Sequence, residues 1–72
     1  MTAHKLVNLA SSYAGISQAE LARKLNMSPQ LLNNRLKTGK FSLEEWERIA
    51  AALGASLSVE FVFPDGGTIR NQ

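Results

Sequence analysis

Four polar side chains within residues 30–37 have the chemistry to bind a nucleic acid duplex. They are Gln30, Asn33, Asn34 and Lys37. Their spacing of three or four residues places them on one side of a helix. Amide side chains form hydrogen bonds with base edges, and lysine binds phosphate. The pattern indicates a helix that reads bases, but an ordinary solvated helix face also carries such residues.

The flanking sequence predicts the element that positions this helix. Two short apolar stripes of helical spacing are separated by a turn. Asn26 suits this turn, because asparagine tolerates a left-handed backbone. Ser28 can cap the second helix, and Pro29 suits its first turn. We therefore predict a helix-turn-helix of the DNA-binding type. Its apolar positions are Leu21, Ala22, Leu25, Met27, Leu32 and Leu36.

Capping signals divide residues 1–54 into four predicted helices. The first spans 3–14 and ends at Gly15, and the second runs from the Ser17 cap to about Leu25. The third runs from about Pro29 to Lys37. The fourth begins after Ser42 and ends at Gly54, with its Trp46 stripe in the core. Glu20 and Glu45 would complete capping boxes with Ser17 and Ser42. The apolar stripe of the first helix is Leu6, Val7, Leu9, Ala10 and Tyr13.

The pattern then changes to period two, which predicts a C-terminal strand. Leu57, Val59, Phe61 and Phe63 alternate with other residues, residues 64–67 suit a turn, and 68–70 suit a second strand. An isolated ribbon is barely stable in water. Val62 makes its end apolar on both faces, so we predict a homodimer formed through Val59, Phe61, Val62 and Phe63. The alternative is a hairpin folded over its own helices.

Charge is distributed unevenly along the chain. Residues 1–40 carry six Lys and Arg and one Glu, whereas residues 41–72 carry two Arg and five acidic residues. The net charges of these halves are +5 and −3. The helix-turn-helix pattern lies in the basic half, which favours a polyanionic partner.

Length and composition narrow the class of protein. Seventy-two residues form a single domain of marginal stability. We divide it into a DNA-binding part, 1–54, and a C-terminal β segment, 55–72. With no cysteine and one histidine, we expect no disulfide, metal site or cofactor. The sequence shows neither a secretion signal nor a membrane span, so we expect a cytoplasmic protein.

The residue pattern also argues against an enzyme. Ser11, Ser12 and Ser17 have no general base at a suggestive spacing. The glycines of residues 66–67 lack the lysine and the following helix of a phosphate-binding loop. We predict no catalytic residues.

Residues 16–54 resemble the lambda-repressor and Cro-type helix-turn-helix family. The resemblance implies a mainly α fold of four helices, to which short Cro-like members add a C-terminal strand through which they dimerise. The positions that match are Gln18, Glu20, Leu21, Ala22, Leu25, Ser28, Leu32, Gly39 and the segment Ile49-Ala-Ala-Ala-Leu-Gly54.

The same resemblance implies roles for individual positions. Gln30 and Asn34 match base-reading positions, with Asn33 between them. Pro29 stands where the family often has a base-contacting glutamine. This position can therefore make only apolar contact with a base, for example with a thymine methyl group. Asn26 replaces the usual turn glycine, and Arg35 and Leu36 are shifted by one position, which puts the roles of Arg35 and Lys37 in doubt. The implied phosphate contacts are Gln18, Ser28, Arg35, Lys37, Thr38 and Lys40.

The sequence thus predicts a dimeric transcription regulator that binds double-stranded DNA. We expect a repressor of phage or mobile-element type that inserts residues 29–37 into the major groove of a palindromic operator. The alternative is an antitoxin or adaptor whose main role is to hold a protein partner. Such a protein would be free to lose the polar face of helix three, which this chain keeps.

Overall fold

The computed structural model describes residues 1–71 as four helices followed by a β-hairpin. This confirms the predicted mainly α fold class. The helices are α1 (Ala3–Ala14), α2 (Gln18–Lys24), α3 (Pro29–Thr38) and α4 (Leu43–Ala52). The strands are β1 (Glu60–Val62) and β2 (Thr68–Arg70), which pair antiparallel.

Every helix begins at a hydroxyl cap, which explains why its start could be predicted. The side chains of Thr2, Ser17, Ser28 and Ser42 each accept a hydrogen bond from the backbone N–H three residues ahead. At Ser42 the Glu45 carboxylate also accepts a hydrogen bond from the Ser42 backbone N–H, which completes the predicted capping box. At Ser17 only the first half of the predicted box is present within residues 1–71. The ends of α2 at Lys24 and α3 at Thr38 each differ from expectation by one residue, and α4 ends at Ala52, two residues before the predicted stop at Gly54.

The core lies where α2 and α3 meet α1 and α4. Its buried apolar residues are Val7, Leu21, Ala22, Leu32, Leu36 and Ile49. Half-buried side chains, Trp46 among them, pack around this centre. The α1 stripe behaves differently from a core stripe, because only Val7 and Ser11 are buried in this helix. Leu6, Leu9 and Tyr13 remain exposed.

The hairpin extends away from the helices. Phe61 pairs with Ile69, and a turn at residues 63–66 joins the strands, with Gly66 in the left-handed region at φ 91°. Within residues 1–71, neither strand has a Cα within 8 Å of a helix. The predicted alternative, a hairpin folded over its own helices, is therefore not what the structure shows. The Cα radius of gyration is 13.4 Å, against about 11 Å for a compact chain of this length.

Candidate nucleic-acid interface

Two leucines fix which side of α3 faces outward. Leu32 and Leu36, one turn apart, are buried in the core beside Leu21 and Ala22 of α2. Each helical residue turns the chain by about 100°. The opposite side of α3 therefore carries Gln30, Asn34 and Lys37, and all three are exposed.

The turn before α3 sets the angle at which this helix leaves α2. Asn26 has a φ of 58°, the one positive value among the non-glycine residues of the described chain. The backbone N–H of Met27 donates to the carbonyl of Ala22 at 2.9 Å. Ser28 then accepts from Leu31 N–H at 3.1 Å, and Pro29 occupies the first turn. The predicted turn and cap are both confirmed.

The other side chains expected to read bases lie at the start and flank of α3. Pro29 is exposed at the helix start, whereas Asn33 is half-buried at the side of the outward face. Sequence reasoning missed Leu31, which is 47% exposed. Leu31 lies about 100° from the Leu32 position, away from the core stripe. That offset was the available signal, and it makes Leu31 a candidate for apolar contact with a base.

Polar groups suited to phosphate flank α3 at both ends. Ser28 is exposed at its start, and Gln18 is half-buried at the start of α2. The Gln18 side-chain nitrogen is buried and has no hydrogen-bond partner within residues 1–71. An unpaired buried donor of this kind destabilises a fold by about 1–3 kcal/mol.

The C-terminal end of α3 contributes a hydroxyl and two cations. Thr38 Oγ1 donates to the carbonyl of Arg35 at 2.9 Å, which holds it on the helix. Gly39 then turns the chain with a φ of 68°. Lys37 precedes Thr38 and Lys40 follows Gly39; both are exposed and belong to no ion pair within residues 1–71. Two unpaired cations therefore flank the outward face.

Arg35 is placed differently from these lysines. Its guanidinium forms an ion pair with Glu45 of α4 and lies over the Phe41 ring, 5.3 Å from the centroid. Phe41 in turn packs edge-on against Trp46 at a centroid distance of 5.1 Å. Arg35 thus joins α3 to α4, and its expected contact with phosphate stays a prediction that this geometry does not favour.

Glu45 is the acidic partner in that cluster. The backbone hydrogen bond from Ser42 and then the hydrogen bond from Arg35 lower the pKa of the Glu45 carboxyl below its ordinary value. The carboxylate stays charged near neutral pH and holds both the cap of α4 and Arg35. It therefore stabilises the loop that carries Lys40.

Residues 1–71 contain no group of three or more His, Cys, Asp or Glu placed to hold a metal ion. None of the helices there has the length and apolarity needed to cross a bilayer.

A family model described as Helix-turn-helix matches residues 14–59, which is more than half of the chain and includes α2, α3 and α4. The comparisons with curated proteins and with solved structures gave no significant match.

Proposed function

We propose a specific mode of action for this chain. It belongs to the lambda-repressor/Cro-like helix-turn-helix family and is thereby a DNA-binding transcription regulator. That family is one of regulators rather than of enzymes. The chain acts in the cytoplasm as a dimeric repressor of phage or mobile-element type. It inserts α3 into the major groove of a palindromic operator and blocks the polymerase.

The observation that carries this proposal is the polar outward face of α3. Leu32 and Leu36 anchor the helix, so Gln30 and Asn34 point away from the core and are exposed. Their amides can form paired hydrogen bonds with adenine in the major groove. Asn33, Pro29 and the newly identified Leu31 extend the reading surface toward its edges.

A second group of residues holds the DNA backbone. Lys37 and Lys40 are unpaired cations beside the reading face, and Ser28 and Gln18 lie near the start of α3 and α2. These groups fix the register of α3 without reading sequence. Thr38 and Arg35 are the weaker members, since both already hold intramolecular partners.

The β segment at residues 55–72 supplies the dimer contact in this proposal. In residues 1–71, β2 pairs with one edge of β1 and no strand pairs with the other. Phe61 and Val62 in β1 and Phe63 just after it are exposed. Pairing of β1 with its copy across a two-fold axis would cover that edge. Two α3 helices would then lie roughly 34 Å apart, one turn of DNA.

Selection of bound sequences from a random duplex pool tests this function, because it reports site, symmetry and spacing together. We expect two inverted half-sites about one turn apart. A single unrepeated half-site bound by one chain would contradict the dimeric mode. Failure to enrich any sequence, with no shift of random DNA at low salt, would favour the adaptor alternative.

A further inference from the structure

We propose that the groove between α1 and α4 is the docking site for the hairpin of a second copy of this chain. The proposal rests on the dimer proposed above and names the surface that the dimer uses. The α1–α4 groove is lined by Leu6, Val7 and Ala10 on one side and by Trp46, Ile49 and Leu53 on the other.

The groove is open because its two walls do not meet. Within residues 1–71, α1 has no Cα within 8 Å of α4, although each helix packs on α2. Along its outer rim α1 presents Leu9 and Tyr13, which are 52% and 96% exposed. This rim is the part of the predicted α1 stripe that the core does not use. An apolar surface of this kind, carrying leucine and tyrosine, is typical of a protein interface.

The hairpin has one face that matches this groove. Residues directly opposite in an antiparallel pair share a face, so Phe61 and Ile69 lie together. Alternation adds Val59 and Phe63 to the same side. Phe61 and Ile69 are 69% and 62% exposed. The other face carries the Glu60–Arg70 ion pair at 2.7 Å, Thr68 and the exposed Val62, and is more polar.

In residues 1–71 the chain's own hairpin lies away from its own helices. Residues 55–58 line the groove and lead out of it toward β1. The Asn71 side chain ties this stalk to the end of β2, donating to the Leu57 carbonyl at 3.0 Å and accepting from Val59 N–H at 3.2 Å. The Asn71 N–H also donates to the Val59 carbonyl at 3.1 Å. These bonds make residues 57–71 one unit, and neither of its strands has a Cα within 8 Å of a helix in the described chain, so the groove is open to the hairpin of a partner.

The exposed area agrees with one missing partner. The chain exposes 5315 Å², against roughly 4,400 Å² for a compact monomer of its 7.9 kDa mass. The excess, roughly 900 Å², is close to the ~800 Å² that each partner contributes to a standard interface. Reciprocal docking of two hairpins in two grooves satisfies two-fold symmetry, because each chain gives and receives the same contact.

Engineered cysteines test the contact directly, because the chain has none of its own. We expect the full chain carrying both Leu9→Cys and Phe61→Cys to oxidise to a covalent dimer. Peptide mapping should show the disulfide between Cys at 9 of one chain and Cys at 61 of the other. Chains of different isotope labelling, mixed before oxidation, identify the bond as interchain. The matched control is Asn8→Cys with Phe61→Cys, since Asn8 is exposed on another side of α1, and it should not form this bond. A monomer with an internal disulfide, or no bond between positions 9 and 61, overturns the docking.

A second measurement separates docking from dimerisation itself. Leu9→Asp lies outside the strands, yet it should raise the dimer dissociation constant about tenfold or more. Asn8→Asp should leave it unchanged, and circular dichroism should show unaltered helix content in both. If Leu9→Asp stays as dimeric as the parent chain, the groove is not the docking site while the dimer stands. If the parent chain itself sediments as a monomer at tens of micromolar, the proposed dimer fails, and docking fails with it. A shift assay on random DNA reports separately whether DNA binding survives.

Discussion

Arg35 of α3 and Glu45 of α4 form an ion pair across the loop that joins the two helices. Glu45 also accepts from the Ser42 backbone N–H at 3.0 Å, so one carboxylate both caps α4 and holds α3. Phe41 lies under the Arg35 guanidinium between them. The loop bearing Lys40 is therefore fixed between two helices, and its position depends on the charge of Glu45.

Replacing Glu45 by glutamine should destabilise the fold in a pH-dependent way. The pKa of the Glu45 carboxyl is lowered in the folded chain, first by the Ser42 backbone bond and then by Arg35. Its stabilising contribution is thus complete above its ordinary pKa, about 4.3, and is lost as the pH falls through the lower folded value. Glutamine keeps a capping acceptor but not the charge.

Thermal unfolding at pH 7 and pH 3 measures this effect. We expect Glu45→Gln to melt below the parent chain at pH 7 and the difference between the two midpoints to be smaller at pH 3. Glu47→Gln is the control, because Glu47 is exposed and in no ion pair within residues 1–71. An equal difference at both pH values would show that the charge of Glu45 is not responsible.

Asn26 should respond oppositely to two small substitutions. Its φ of 58° lies in the left-handed region, which a residue with a Cβ adopts at a cost of roughly 1–2 kcal/mol and glycine adopts freely. Asn26→Gly should therefore be neutral or stabilising, and Asn26→Ala should destabilise by about 1 kcal/mol. Urea denaturation gives both free energies of unfolding. Asn8→Ala, within exposed α1, serves as control and should not destabilise; a loss for the glycine variant equal to that for alanine would refute the argument.

The two polar groups around α3 should behave differently on DNA. Gln30→Ala or Asn34→Ala should weaken binding to the selected operator by roughly 1–3 kcal/mol and relax base preference there. Lys37→Ala and Lys40→Ala should weaken binding to all sequences about equally, because phosphate carries no sequence information. Each variant is titrated on the operator and on scrambled DNA of equal length. If Asn34→Ala loses the same factor on both, α3 is not the reading helix.

Leu31 offers an additional test of the reading surface. It is 47% exposed beside Gln30 on α3. Leu31→Ala should therefore change preference at one base position while leaving the fold intact, as judged by its unfolding midpoint. Leu36→Ala, fully within the core, should instead destabilise by about 2–5 kcal/mol. Unchanged base preference in Leu31→Ala would remove it from the surface that contacts DNA.

Affinity should depend strongly on salt. Each dimer would neutralise several phosphates with Lys37, Lys40 and their neighbours, so binding should weaken by orders of magnitude between about 50 and 200 mM salt. Lys40→Ala should reduce the slope by about one per neutralised phosphate. A flat affinity across that range would indicate a partner that is not a polyanion.

Removal of the hairpin should abolish the dimer. A chain cut before Ala55, or one carrying Phe61→Lys, loses the apolar face or places a charge within it. We expect each to sediment as a monomer or to unfold. Val59→Thr, a milder change on the same face, keeps the shape and should weaken the dimer without unfolding the helices. Persistence of the dimer in Phe61→Lys would place the interface elsewhere.

Local signals were sufficient for the helices and for the turn. Ser17, Ser28 and Ser42 satisfy backbone donors only three residues away, and Asn26 tolerates the left-handed backbone that the turn requires. Such interactions depend on neighbouring residues alone, so capping and apolar spacing locate the ends of α1 to α4 within one or two residues. The outward position of Gln30 and Asn34 follows from the Leu32 and Leu36 spacing in the same way.

Tertiary structure decided which partners long side chains take. The sequence predicts Arg35 as a cation for phosphate, but the following loop and α4 bring Phe41 and Glu45 to it from six and ten residues away. The apolar stripe of α1 has the spacing of a core face, yet Val7 is its one buried residue, and Leu9 and Tyr13 remain exposed beside an open groove. Apolar spacing fixes which residues share a helix face, whereas the crossing of the helices fixes how much of that face is covered. For this reason the sequence by itself determined the helix-turn-helix and its polar face, and only the folded chain showed the cluster that holds Arg35 and the groove left beside α1.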